Sequence, residues 1–137
     1  MPQAMATEIQ KHCETIEECY EFTLSYAARG LANDQGSELR GQLTRAVAAI
    51  RGLEHSCAQA IGEGPITLPY KDTIDKYQAF FAVLIRDAES AMAAMELVLA
   101  QPTIGSQLID NLNASIHLRA LLADLFLVTE ILDARRK

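Results

Sequence analysis

The sequence holds no tryptophan, and aromatic residues make up only 6% of it. Only four prolines and seven glycines occur in 137 residues, and most fall between apolar-periodic stretches. No apolar run approaches the ~20 residues that span a bilayer, which excludes a transmembrane helix. Met1-Pro2-Gln3-Ala4-Met5 offers no basic stretch followed by an apolar one, so no signal peptide is expected. Three cysteines are an odd number, and reduced thiols in a cytoplasmic protein are the expectation. Positive charge is scarce too: Lys and Arg number 12 against 18 Asp and Glu, a formal charge of −6. Without a basic stripe to neutralise phosphates, nucleic acid is excluded as a partner. The one basic cluster, Arg135-Arg136-Lys137, complements the dipole at a helix C-terminus.

The signatures of familiar chemistry are missing as well. Residues three before His12, His55 and His117 are Ile9, Gly52 and Ala114, so the Glu-x-x-His pairs of a di-iron bundle are absent. There is no Gly-x-x-x-x-Gly-Lys phosphate loop and no Gly-x-Ser-x-Gly elbow. Carboxylate pairs occur at Glu14/Glu17, Glu18/Glu21 and Glu130/Asp133. The first two fall on the polar side of their segment and read as a solvated face.

What remains is a chain that is half hydrophobic and 22% charged, rich in Ala, Leu, Ile, Val and Met. That is enough apolar material for one ordinary domain. Four segments carry helical periodicity, at about 7–31, 37–61, 72–100 and 103–134. Thr7 and Gln10 fit a capping box for the first, and Thr103 is placed to cap the fourth. In the second, Leu39, Leu43, Ala46, Ile50, Leu53, Cys57 and Ile61 keep an unbroken four-three spacing. In the third the seam is Tyr77, Phe81, Leu84, Ala88, Ala91, Met95 and Val98. Helices of about 25 residues run ~37 Å. With short first and third connections, they predict a single-domain, up-down-up-down antiparallel four-helix bundle. The 62–71 connection is longer and holds Pro65 and Pro69; it is either a spacer or a functional loop.

Pairing the helices about their turns brings candidate groups together. His12, Cys13 and Cys57 fall at one height with Glu54 one turn away, a set that suits a metal if they converge and otherwise reads as buried thiols with a boundary histidine. Asp87 falls level with His117, with Tyr77 and Asp124 on the same stripes, as a candidate ligand site. Gly41 and Gly52 share a side of the second helix, where interior glycine costs about 1 kcal/mol each against alanine, unless something must approach closely. In the fourth segment Leu121, Leu127, Val128 and Ile131 widen the apolar arc beyond the ~100° that one bundle face needs, which marks them as candidate interface residues.

These features point to a non-enzymatic interaction module, an adaptor, chaperone or regulatory subunit. Its expected partner is a second copy or another helical protein, with neither cofactor nor membrane. The alternative is a bundle that binds a small ligand or a metal; a lesser one is an enzyme of unfamiliar type.

Overall fold

The computed structural model describes residues 2–63 and 74–136. Among them the chain is all-helical, with no strand. There are five helices: α1 (Pro2–Ala28), α2 (Leu39–Glu63), α3 (Ile74–Leu99), α4 (Ser106–Ala114) and α5 (Ile116–Arg136). None is long and apolar enough to cross a membrane. α1 packs on α2, α2 on α3 and α3 on α5, while the short α4 returns to α1.

The expected seams form the core. Leu39, Leu43, Ala46, Ile50, Leu53 and Cys57 of α2 are buried, as are Phe81, Leu84, Ala88, Ala91, Met95 and Val98 of α3. Ile9, Cys13, Ile16 and Cys19 supply the α1 share. The regular spacing places each of these side chains on one side of its helix, and their removal from water is the main term holding the helices together.

Three expected boundaries are corrected. Thr7 lies inside α1, which already begins at Pro2. Proline suits the first helical turn, and the intervening Gln3, Ala4, Met5 and Ala6 favour helix. Thr103 caps nothing, since Gly105 holds the N-cap position of α4. The fourth segment is two helices, broken at Ser115, whose ψ of 135° leaves the helical region. Its amide donates to Leu112 O at 3.0 Å and its Oγ accepts the His117 amide at 3.2 Å. One serine thus closes α4 and caps α5. Residues 64–71 of the long connection lie outside the described residues.

One end is locked by polar contacts to the backbone. After α1 the chain turns through Gly30 and Gly36, both with positive φ (68° and 76°), which glycine adopts without steric cost. Asp34 Oδ1 then accepts the Ile104 amide at 2.9 Å, and Arg40 Nε donates to Asp34 Oδ2 at 2.7 Å. Arg40 also donates to the carbonyls of Leu99 and Gln101. The Ile104 amide and the Arg40 guanidinium hold the Asp34 carboxyl below its ordinary range. Buried Tyr26 donates to Ile104 O at 2.6 Å, and Ser106 Oγ donates to Tyr26 O at 2.7 Å. Ser106 and Leu31 exchange two further bonds at 2.8 Å. These contacts hold residues 100–105 out of helix and fix where α4 starts.

A candidate docking groove between α3 and α5

Between the start of α3 and the end of α5 lies an open apolar groove of about 460 Å³. Tyr77, Phe80 and Phe81 line one wall; Leu127, Val128 and Ile131 line the other. Tyr77 and Phe81 meet as tilted rings with centroids 6.2 Å apart, a favourable aromatic geometry. Leu127 is 50% exposed and Ile131 37%.

A stripe on each helix borders the groove. On α3 it runs Lys76, Phe80, Val83, Asp87, and on α5 it runs Asp124, Leu127, Ile131, Ala134, both at the spacing of one helix side. The helices run in opposite senses here. Lys76 and Ala134 therefore share one end of the groove, and Asp87 and Asp124 come together beyond its other end. The Asp124 carboxyl is pushed up to about 7, first by burial and then by Asp87. Its Oδ2 is buried with no hydrogen-bond partner among the described residues. Two ionised carboxylates have no donor to share, so such a pair is relieved by a proton or by an outside cation.

The groups picked from sequence are placed differently. Asp87 meets Asp124 rather than His117, which is exposed in the first turn of α5, two turns away. The connection between Leu99 and Ser106 is still centred near Pro102, but α4 then packs on α1 and the helix breaks at Ser115 before α5 lies along α3, and this slides the pairing. Cys13 and Cys57 are buried, close enough for Cys57 to act on the Cys13 thiol, and unbonded. Burial pushes both thiols up to about 12. Glu54 instead faces Glu89 of α3, and burial and that neighbour raise its carboxyl. His12 lies over Gly52, with Nε2 3.6 Å from Glu8. Among the described residues no cluster of three or more His, Cys, Asp and Glu side chains could hold a metal.

The interface candidates divide in the same way. Leu121 is fully buried in the monomer core and presents nothing to a partner. Val128, 5% exposed, forms the groove floor, while Leu127 and Ile131 stand at its lip. Phe80, Val83 and Lys76 were not anticipated. Phe80 and Val83 lie within the run 79–85, which is apolar all round and so hides which members face out. Comparison of the chain with protein-family models, curated proteins and solved structures gives no match.

Proposed function

We propose that this chain is a non-enzymatic interaction module whose docking face is the α3–α5 groove. The fold behind it is read as an antiparallel four-helix bundle in which α4 and α5 together form the fourth, broken helix. The observation that carries the proposal is the open apolar groove with Leu127 at its lip. A contiguous exposed apolar strip is costly in water and marks a contact surface. Its walls are two helices, so the occupant that fits is a helix of a protein partner presenting apolar side chains, by ridges into grooves. An open trough with a half-exposed lip does not enclose a small molecule as binding pockets do.

A photo-reactive phenylalanine analogue in place of Leu127, irradiated in the producing cells, is expected to give discrete protein adducts. The same analogue in place of Ala48, exposed on α2, gives none. Absence of adducts from position 127, or equal adducts from both positions, refutes the docking face.

A further inference from the structure

We infer that the occupant of the groove is a second copy of this chain, related by a two-fold axis lying across the groove between Leu127 and Ile131. This rests on the docking face proposed above and names its partner.

The argument starts from how charge is laid out along the strip. Lys76 stands at one end and the Asp87/Asp124 pair at the other, with Phe80, Val83, Leu127 and Ile131 between them. On α3 the charged ends are eleven residues apart, about 16 Å along the helix axis. A two-fold contact is self-complementary, each residue meeting its counterpart's neighbour. Two such arrangements are open to a strip of this shape. An axis along the strip sets acid pair against acid pair, and the repulsion opposes it. An axis across the strip reverses it end for end and sets Lys76 of each copy against the acid pair of the other.

The second arrangement satisfies every feature of the strip at once. With the axis between Leu127 and Ile131, Leu127 of each copy meets Ile131 of the other, and Phe80 meets Val83. Lys76 then lies opposite Asp87 of the other copy, with Asp124 beside it. Among the described residues Lys76 has only an exposed contact with Asp75 at 4.0 Å, which binds it weakly. The ammonium brings positive charge beside the Asp87/Asp124 pair, at the end of the strip where two acids crowd one another. The apolar centre and two symmetric ion pairs make a small interface with an apolar core and a polar rim.

Sedimentation velocity of the purified chain over 1–200 μM tests this, with the mass read against 15.0 kDa per chain. The expected result is a concentration-dependent dimer that 1 M NaCl weakens. Leu127→Glu gives a monomer with unchanged far-ultraviolet circular dichroism. Lys76→Glu and Asp87→Lys each weaken the dimer by at least tenfold, by placing like charges together. The double variant Lys76→Glu/Asp87→Lys restores association to within about threefold of the parent. A parent monomer at 200 μM overturns the inference, and so does a double variant no better than the singles, which rules out the axis across the strip. If the parent is monomeric while position 127 still gives adducts with a different protein, the second copy is wrong and the docking face stands. If adducts are absent as well, both fall.

Discussion

Replacing Gly52 by alanine should bring no stability, although helix propensity alone says it should. Gly41 and Gly52 both lie inside α2, where alanine in place of glycine is worth about 1 kcal/mol when nothing stands in the way. At Gly41 a methyl group meets no described atom within 4 Å, so Gly41→Ala should stabilise by about that amount. At Gly52 the methyl carbon would lie 2.4 Å from Cε1 of His12, 2.6 Å from Nε2 and 3.0 Å from Nδ1. All three are ring atoms, so the imidazole covers the glycine, and contact at ~3.5–4 Å requires the ring to withdraw by over ~1 Å. The ring sits at the end of a side chain that is 26% exposed, so it can swing outward. It then loses its packing and leaves its rotamer well, at about 1–2 kcal/mol. The gain and the loss cancel, and Gly52→Ala is expected between neutral and about 1 kcal/mol destabilising. In a His12→Ala background the obstruction is gone, and Gly52→Ala should gain about 1 kcal/mol, as at Gly41. Urea unfolding of the four members of the cycle, followed by circular dichroism, measures the coupling. If Gly52→Ala stabilises as much as Gly41→Ala while His12 is present, the close approach of the imidazole is wrong.

Gly105→Ala should destabilise by about 2 kcal/mol, because its methyl would come within 2.9 Å of Ala32 O and 3.1 Å of Leu31 O, backbone atoms that cannot swing aside; thermal unfolding checks this. Cys13, Cys19 and Cys57 are buried, with thiols pushed up to about 12, 11 and 12 mainly by burial. Native labelling with a thiol reagent at pH 8 should therefore lag far behind labelling in denaturant for all three, and rapid reaction at any one contradicts its placement. Asp124 holds its proton up to about pH 7 when folded, against an ordinary value of 3.8. It therefore supports folding fully below about pH 4, and that support is lost as pH rises to 7. Asp124→Asn should flatten this slope and stabilise the protein at pH 8 by about 1–2 kcal/mol after allowance for solvent screening. Urea titrations at submicromolar protein, where a partner's Lys76 is not bound, measure it.

The buried seams were legible because helix geometry ties burial to spacing. Every seam residue from Leu39 to Cys57 and from Phe81 to Val98 is buried, since side chains three and four apart share one side. The break at Ser115 was not read because apolar periodicity runs across it: Leu112 and Leu118 are buried on either side. The local signal was polar instead, in Asn111, Asn113 and Ser115, residue types that compete with helix through their own backbone bonds. Asn113 turns inward, where its Oδ1 accepts the Thr23 hydroxyl at 3.1 Å. That long-range contact with α1 cannot be seen in the spacing of one segment.

The candidate site was legible in its parts and not in its pairing, and the cause is leverage. Heights along a helical hairpin follow from where the turn is centred only when the helix after the turn runs back along the one before it, so a segment diverted elsewhere shifts every partner beyond it. Reading the last turn at Pro102 matched Asp87 to His117. The turn is centred there, but the lock of Asp34, Arg40 and Tyr26 on residues 99–104 sends α4 onto α1, the helix breaks again at Ser115, and Asp87 meets Asp124 instead. The chemistry then changes in kind: an acid beside a histidine suggests proton transfer, whereas two acids beside each other call for a cation from outside. The contact that moved the pairing lies at the far end of the molecule from the groove. A polar lock that looks purely structural thus decides which charges border the docking face. Arg40→Ala should accordingly disturb the Asp87–Asp124 pairing as well as lower stability. Comparing the pH dependence of its unfolding with that of the parent is the check. If the slope between pH 4 and 7 survives unchanged while stability drops, the lock does not set the register.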